Sequence, residues 1–286
     1  MSAVTRATSY ARMVRLSHSI FALPFALASA ALAARGSLRW PQVLWIVVAM
    51  IGARSAAMGF NRLADHEVDA RNPRTAAREL PRGVLTRAEV WTFVGLSAGL
   101  LVLAAAMLNP LCLALSPIAL AIVFGYSYTK RFTSLSHLFL GLALGTAPVG
   151  AWLAIRGRFA LTPVVLSLAV LAWVAGFDVI YSCQDADFDR REGLHSLPAR
   201  LGIGRALQLA RVLHVTAVVL LASVYWLEPL SPVYLGGVAV VGALLVYEHS
   251  LVRAGDLSRV DAAFFTVNGW ISIGYLVFTV AAVRLG

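Results

Sequence analysis

The chain has 286 residues and a net charge of +10; 59% of its residues are hydrophobic and 13% are charged. Its mean hydropathy is +0.78, far from the values of soluble domains, which excludes a water-soluble fold. The apolar residues form blocks of about twenty, the length of helix that crosses roughly 30 Å of hydrocarbon. The sequence therefore predicts an all-α polytopic membrane protein, with residues 1–286 as a single domain.

In chain order, nine transmembrane helices are predicted at residues 16–34, 42–60, 90–108, 111–128, 136–155, 161–181, 207–227, 230–248 and 262–283. Most of the 24 Lys and Arg residues fall in the N-terminal segment and in every second loop after it. By the positive-inside rule, this bias predicts an N-in/C-out orientation. The first span also fits a signal peptide, because Arg6, Arg12 and Arg15 precede an apolar run that ends in Ala28-Ser29-Ala30. Both interpretations give the same orientation for the later spans.

A net charge of +10 is compatible with nucleic acid, anionic lipid or an anionic substrate as partner, and also with membrane topology alone. Most of the basic residues lie on the predicted cytoplasmic side of the membrane. Membrane topology therefore explains most of the excess of positive charge. We therefore expect a lipid bilayer around the protein and no nucleic-acid partner. The predicted location is the membrane, with the charged loops on its cytoplasmic side.

The acidic residues are concentrated in two short windows, both at predicted cytoplasmic helix ends. Eight of the 14 acidic residues of the chain lie there: Asp65, Glu67, Asp69, Asp178, Asp185, Asp187, Asp189 and Glu192. The windows fall in the two longest connections, and long ordered loops usually carry function. For either window alone, a salt-bridged surface loop is an equally good interpretation.

The first window places Asn61, Asp65 and Asp69 at i, i+4 and i+8, which is one face of a helix that continues the second span without a break. This helix should end by Asn72-Pro73, since a residue before proline avoids the α region. Thr86-Arg87-Ala88-Glu89 is predicted to open the third span as a capping box. Carboxylate and amide oxygens suit a hard cation such as Mg²⁺, and the arginines that follow suit phosphate.

The second window has the same character. On a helix Asp178, Tyr181, Asp185 and Asp189 share a face, whereas Asp187 points away. Asp178 lies within the predicted span, where an ionisable group is costly unless it faces a polar cavity. The spacing therefore selects Asp178, Asp185 and Asp189 as the acids of this window that can act together.

Three further patterns receive interpretations. Tyr126-Ser127-Tyr128-Thr129-Lys130-Arg131 closes the fourth span as either an aromatic belt with positive flanks or a part of the site. Gly141-Leu142-Ala143-Leu144-Gly145 is a small-xxx-small pattern that predicts close helix packing. Four histidines in or beside apolar runs are interpreted as packing residues: His18, His137, His214 and His249.

Together these motifs resemble the UbiA superfamily of intramembrane aromatic prenyltransferases. Asn61, Asp65 and Asp69 match its NxxxDxxxD motif, and Asp185 and Asp189 match its DxxxD motif. The likeness covers essentially the whole chain. It is closest to a 4-hydroxybenzoate polyprenyltransferase-like branch linked to menaquinone synthesis through futalosine.

The resemblance implies Mg²⁺-dependent transfer of a polyprenyl group from polyprenyl diphosphate to an aromatic hydroxy acid, 4-hydroxybenzoate or a dihydroxynaphthoate, in ubiquinone or menaquinone biosynthesis. It also implies a UbiA-like bundle with a cytoplasm-facing cavity. The expected Mg²⁺ ligands are Asn61, Asp65, Asp69, Asp185 and Asp189. The expected diphosphate-binding residues are Arg62, Arg74, Lys130, Arg131 and His195.

The remaining roles concern the chemistry of the acceptor and of the allylic cation. Tyr128 and Tyr181 are expected to shield the cation through a ring face. Either Asp178 or Asp69 is expected to accept the phenolic proton of the acceptor. Arg15 is expected to pair with the carboxylate of the acceptor.

A cation-coupled membrane transporter is the main alternative, because transporters also place carboxylates inside a helical bundle. A transporter is expected to hold them near the midplane on broken helices. Here all but Asp178 lie at predicted cytoplasmic helix ends. A CDP-alcohol phosphotransferase is less well supported, since its DxxDGxxAR pattern is absent from the sequence.

Overall fold

The computed structural model describes residues 9–10, 13 and 21–286. Residues 21–286 form helices joined by loops and contain no β-strand. The α-helices are α1 (Ala22–Ala34), α2 (Trp40–Ala64), α3 (His66–Arg71), α4 (Arg87–Leu108), α5 (Pro110–Thr129), α6 (Ser136–Arg156), α7 (Leu161–Ser182), α8 (Ala186–Arg191), α9 (Leu197–Leu201), α10 (Ile203–Ser223), α11 (Val233–Ser250) and α12 (Asn268–Leu285). A π-helical turn, Ala262–Val267, precedes α12.

Within the described ranges, eight segments are long and apolar enough to cross a membrane. They coincide with the eight spans predicted from residue 42 onward, so the all-helical membrane fold is confirmed. The first predicted span, residues 16–34, extends outside the described residues, and its described part is the 13-residue helix α1. A total of nine spans and the N-in/C-out orientation stay predictions.

The helices pack as a closed bundle. α2 packs against α4, α6 packs against α1, α5 and α7, and α7 packs against α10. α12 packs against α11 and returns to α1, which completes the circuit. Most side chains of α1 are buried among these neighbours, as expected for a helix of the bundle.

Two glycines allow α6 and α7 to approach closely. A Cβ added at Gly141 would lie 2.4 Å from the carbonyl oxygen of Leu171, and one at Gly145 would lie 2.9 Å from that of Ser167. The hydrophobic effect contributes little to the association of helices within lipid. Close packing of helix backbones at small residues is therefore a main source of helix–helix affinity. The predicted packing role of this small-xxx-small pattern is confirmed.

A buried amide ties α7, α11 and α12 together. Asn268 accepts a hydrogen bond at 2.7 Å from Nε1 of Trp173 and donates one at 3.0 Å to Glu248. Its Nδ2 also lies 3.2 Å from the carbonyl oxygen of Phe264 in the π-helical turn. π turns leave backbone carbonyls without their usual helical partner, and a membrane protein must satisfy such groups internally. The amide thereby holds Phe264 in place.

The local helix signals of the first window are also confirmed. α3 ends at Arg71, with Asn72 as the capping residue. At the start of α4 the backbone N–H of Glu89 donates to the Thr86 hydroxyl at 3.2 Å, and the Thr86 N–H donates to the Glu89 carboxylate at 2.8 Å. These two caps fix the ends of the loop that carries the arginines.

Gly141→Ala is expected to lower the stability of the protein, because the new methyl group meets a backbone carbonyl that cannot move without separating α6 from α7. Overpacking of this kind costs about 1–3 kcal/mol, which thermal unfolding in detergent would detect. Gly95→Ala is the matched control, since a Cβ there meets nothing within 4 Å. Equal melting temperatures for the two variants would contradict the packing role.

Candidate active site

A polar cavity of about 300 Å³ lies between α2, α5, α6 and α7. Both acidic windows reach it, although they are far apart in the sequence. The acidic and amide side chains that line it are Asn61, Asp65, Asp69, Asn72, Asp178, Asp185 and Asp189. The structure thus brings all five residues expected to bind the metal to a single site.

Each window bends at its first motif aspartate. The predicted unbroken helix is wrong, because α2 ends at Ala64 and the chain turns at Asp65 with φ −94° and ψ 5°. The second window turns in the same way at Asp185, with φ −99° and ψ 2°. These values lie in the sparsely allowed bridge region, where many active-site residues are found. A backbone hydrogen bond of 2.7 Å from Asp69 to Asp65 preserves the helical spacing across the first bend.

Asp65 is almost fully buried, and only one of its two carboxylate oxygens accepts hydrogen bonds from described residues. Its Oδ2 accepts hydrogen bonds from Nζ of Lys130 at 2.9 Å and from Nδ2 of Asn61 at 3.0 Å. Its Oδ1 is buried and has no hydrogen-bond partner among the described residues. A buried carboxylate oxygen without a partner is costly, so this atom indicates a missing ligand.

Asp69 is held by an arginine of the following loop. Nη1 of Arg78 lies 2.7 and 2.6 Å from its two carboxylate oxygens, and the guanidinium of Arg62 lies 4.0 Å away. From the sequence, Arg78 is one of several loop arginines that suit phosphate, and its contact with Asp69 has no local sequence signal. The loop bounded by the two caps returns Arg78 to the cavity, where both oxygens of Asp69 are already engaged.

Asp185 is bound by Arg74 from the same loop. Nε of Arg74 donates to Oδ1 at 2.9 Å, and its Nη2 donates to Oδ2. Asn72, missed by the sequence analysis, donates to Oδ1 at 3.2 Å. Burial opposes the charge of Arg74, but the hydrogen bond and charge of Asp185 outweigh it and raise the pKa of the guanidinium. The loop after the first window therefore supplies Arg74, the cation that neutralises Asp185 in the second window.

Tyr181 lies between this ion pair and an aromatic cluster. Its hydroxyl accepts a hydrogen bond at 3.2 Å from Nη1 of Arg74, whose Cζ lies 5.3 Å from the ring centroid. The ring of Phe264 lies 4.2 Å from that of Tyr181, centroid to centroid. Tyr181, Phe177 and Phe264 all line the cavity, so one of its walls is aromatic.

Asp178 has a histidine as its partner. Nδ1 of His137 lies 2.7 Å from Oδ2 of Asp178, and the backbone N–H of Leu197 donates to Nε2 of His137 at 3.3 Å. The interpretation of His137 as a packing residue is therefore incomplete. A histidine on α6 that faces an acid on α7 has no local sequence signal, because the contact depends on how the two helices pack.

Three expected site residues do not line the cavity. Tyr128 is 41% exposed and packs its ring edge-on to Phe60 at 5.8 Å. The guanidinium of Arg131 lies 5.2 Å from the Tyr128 ring and donates to the carbonyl of Ala64 at the end of α2. His195 is exposed, and its backbone N–H donates to the carbonyl of Lys130 at 2.7 Å. A fourth expected residue, Arg15, lies outside the described residues.

The cavity lacks a preformed metal cluster in the described part of the chain, where no group of three or more His, Cys, Asp or Glu side chains could hold a metal ion. Asp65, Asp69 and Asp185 are paired with Lys or Arg instead, and Asp178 is paired with His137. Mg²⁺ usually keeps several waters and binds one or two carboxylates together with substrate phosphates. The unpartnered Oδ1 of Asp65 fits such an ion, so the residues fit a metal that enters with an anionic substrate.

An apolar chamber of about 230 Å³ adjoins the polar cavity. It is lined by alanine, leucine and other small or apolar residues of α1, α2, α4, α5 and α6. Five residues face both spaces: Arg54, Met58, Tyr126, Leu140 and Leu144. Arg54 lies within the predicted span 42–60, and its buried Nε has no hydrogen-bond partner among the described residues. A cationic group therefore stands where the polar and apolar spaces meet.

The sequence model of the UbiA prenyltransferase family matches residues 22–270. The chain belongs to this family. It is 31% identical over 229 residues to the 4-hydroxybenzoate octaprenyltransferase of Citrobacter koseri, covering 79% of each protein. It is therefore an enzyme, a prenyltransferase of the 4-hydroxybenzoate polyprenyltransferase-like kind, as the motifs predicted.

Solved structures agree with this assignment. The apo structure of a UbiA homolog from Aeropyrum pernix K1 has 34% sequence identity and a TM-score of 0.83, covering 91% of this chain and 97% of that one. A UbiA homolog from Archaeoglobus fulgidus bound to GPP and Mg²⁺ has a TM-score of 0.77 over 96% of this chain and 99% of its own, at 21% identity. The bundle is therefore a UbiA fold.

Removing the partner of a buried carboxylate should destabilise the protein strongly. We expect Arg78→Met to cost roughly 3 kcal/mol, because Asp69 keeps its charge and stays buried. Arg71→Met is the matched control: it breaks the exposed ion pair with Glu192, which is worth at most about 1 kcal/mol.

Thermal unfolding in detergent would separate the two variants, and adding Asp69→Asn to Arg78→Met should restore most of the loss. A double variant no more stable than Arg78→Met would contradict the assignment of this pair.

Proposed function

We propose that the enzyme transfers a polyprenyl group from polyprenyl diphosphate to an aromatic hydroxy acid, 4-hydroxybenzoate or a dihydroxynaphthoate, with Mg²⁺ as cofactor. The observation that carries the proposal is the meeting of both aspartate motifs with Lys130, Arg74 and Arg78 in one cavity beside an apolar chamber. The names of the curated relatives support the acceptor class. The Archaeoglobus homolog, whose structure holds GPP and Mg²⁺, supports the donor.

The reaction takes place at the cytoplasmic face of a membrane. Residues 1–286 act as one domain with nine spans, N-in/C-out, in the bacterial inner membrane, and the cavity faces the cytoplasm. The product serves ubiquinone or menaquinone biosynthesis. The charge bias of the loops supports the orientation.

The charged residues of the cavity bind the diphosphate and its metal. Asn61, Asp65, Asp69, Asp185 and Asp189 are the candidate metal ligands. When bound, Mg²⁺ supplies positive charge that makes the diphosphate a better leaving group. A diphosphate entering with its metal brings a cation for the carboxylates and an anion for Lys130, Arg74 and Arg62, so every buried charge keeps an opposite neighbour. Arg131 and His195 hold the loops that carry these residues.

The apolar walls account for the remaining parts of the donor. The chamber between α2, α5 and α6 is suited to a polyprenyl tail, which is insoluble in water and gains about 0.8 kcal/mol per buried methylene. Tyr181 shields the allylic cation with its ring face. An aromatic wall also excludes water, which would otherwise capture the cation. The exposed position of Tyr128 favours Tyr181 for this role.

Arg54 is the best-placed residue for the carboxylate of the acceptor. It stands where both substrates must meet, and its Nε has no partner among the residues that the structure describes. A guanidinium matches a carboxylate in shape as well as in charge. Arg15 stays a second candidate for the same role.

The reaction is tested with membranes that contain the protein, Mg²⁺, a labelled prenyl diphosphate and either acceptor. We expect Asp65→Asn and Asp185→Asn to lower turnover by about 100-fold or more, since each weakens charge stabilisation of the leaving group. Asp187→Asn is the matched control, because this acid is exposed and pairs with Arg190. The absence of any Mg²⁺-dependent product would refute the proposal, and full turnover by Asp65→Asn would refute the metal assignment.

The role of Arg54 has its own test. Arg54→Met should raise KM for 4-hydroxybenzoate by roughly 10- to 100-fold, because a charge-assisted hydrogen bond is lost, with KM for the donor unchanged. The neutral isostere 4-hydroxybenzamide is the control, since it should be used equally by the variant and the wild type. A similar loss with both acceptors would show that Arg54 does not recognise the carboxylate.

A further inference from the structure

Asp178 differs from Asp65, Asp69 and Asp185 in its partner. Asp65, Asp69 and Asp185 each bind a Lys or Arg, whereas Asp178 has no such cation within ion-pair distance in the described ranges. Its partner is His137, through Oδ2. Asp178 lines the cavity, and its side chain is 24% exposed. Asp178 is therefore an accessible carboxylate that no permanent cation neutralises. Asp189 also lines the cavity and has no ion pair with Lys or Arg in the described ranges, but it is one of the candidate metal ligands.

The hydrogen bonds of His137 define its protonation. The backbone N–H of Leu197, in the first turn of α9, donates to Nε2, so Nε2 must carry a lone pair. The proton then resides on Nδ1 and is donated to Asp178. A second proton on Nε2 would face the Leu197 N–H, donor against donor. In this tautomer the Nδ1–H of His137 holds Oδ2 of Asp178 in one orientation.

This arrangement leaves one oxygen of Asp178 available to a substrate. Oδ2 is fixed by His137, while no described residue donates to Oδ1. Asp69, the other acid considered for proton transfer, has both oxygens on Arg78 and is buried. An acid bound to a guanidinium is a poor proton acceptor, because the cation favours its ionised form. The two candidates are thereby separated.

We propose that Asp178 is the base that takes the hydroxyl proton of the aromatic acceptor, and that His137 is the positioning residue that orients it. This inference rests on the proposed function. The hydroxyl proton moves to Asp178, and a ring carbon ortho to the oxygen forms the new C–C bond. The allylic C–O bond breaks, and the diphosphate leaves with its electron pair. The dienone then loses its ring proton to water, and the phenolate oxygen takes the proton back from Asp178.

The base is tested with acceptors of different acidity. Asp178→Asn should lower kcat with 4-hydroxybenzoate by about 10²- to 10⁴-fold, the usual contribution of a general base, with KM for the donor little changed. With 3-fluoro-4-hydroxybenzoate, whose hydroxyl is more acidic, the loss relative to wild type on the same acceptor should shrink at least several-fold. A purely structural role for Asp178 would give the same loss with both acceptors.

The positioning role is tested at His137 with amides of two lengths. In His137→Asn the side-chain N–H takes the place of Nδ1, so we expect turnover within about tenfold of wild type, because the hydrogen bond to Asp178 survives. In His137→Gln the amide reaches the position of Nε2 and no longer donates a hydrogen bond to Asp178. The kcat of this variant should therefore fall like that of Asp178→Asn, and it should recover partly with the fluorinated acceptor. Both are polar and of similar size, and thermal unfolding checks that both fold.

The outcomes separate the two proposals. If the wild type forms no prenylated product from either acceptor, the proposed function fails and this inference fails with it. If the wild type is active but Asp178→Asn keeps full turnover, or loses it equally with both acceptors, the base assignment alone is overturned. Equal activities of the Asn and Gln variants at His137 would overturn the positioning role.

Discussion

Charge burial inside an apolar helical bundle is the constraint on which this site depends. An ionised carboxylate removed from water is stable only if another group supplies charge or hydrogen bonds. Three such pairs join separate segments of the chain: Asp65 with Lys130, Asp69 with Arg78 and Asp185 with Arg74. Each pair therefore also fixes the position of a loop or helix end, so the electrostatics of the site and the fold around it cannot be separated.

The same constraint determines what the cavity accepts. Acids and bases that neutralise one another leave little net charge, so neither a lone metal ion nor a lone anion binds without leaving some charge unpaired. A diphosphate that carries its metal supplies both signs at once. Among the described residues, the polar side chains that line the adjoining apolar chamber are few: Arg54 and Tyr126 at the boundary, Cys112, Ser116 and Thr146. Only an amphiphile with one highly charged end matches both spaces.

Helix caps and the residues that share a helix face could be predicted from the sequence. Contacts between side chains that are far apart in the sequence could not. The caps at Asn72 and Thr86 and the shared face of Asn61, Asp65 and Asp69 follow from residues within one or two turns. The bends at Asp65 and Asp185 escaped prediction, since nothing in the apolar flanks breaks a helix there. The contacts of Arg78 and His137 could not be predicted. The path of a loop brings Arg78 to its partner, and the packing of α6 on α7 brings His137 to its partner. Tyr128 and Arg131 share a motif with Lys130, but neighbouring residues at the end of α5 point in different directions, and of these three Lys130 alone lines the cavity.

The two windows share a backbone geometry but differ in their partners, and this difference divides the site chemically. Each turns at its first motif aspartate in the bridge region, which places two acidic clusters opposite each other. Permanent cations neutralise Asp65, Asp69 and Asp185, whereas Asp178, about two helical turns before Asp185, faces a histidine whose Nε2 accepts a hydrogen bond from the Leu197 N–H. Groups with permanent charge suit the binding of an anion, and an acid without a cation suits the acceptance of a proton. Two windows with the same bend thus provide a binding region and, about two helical turns from Asp185, a reactive carboxylate.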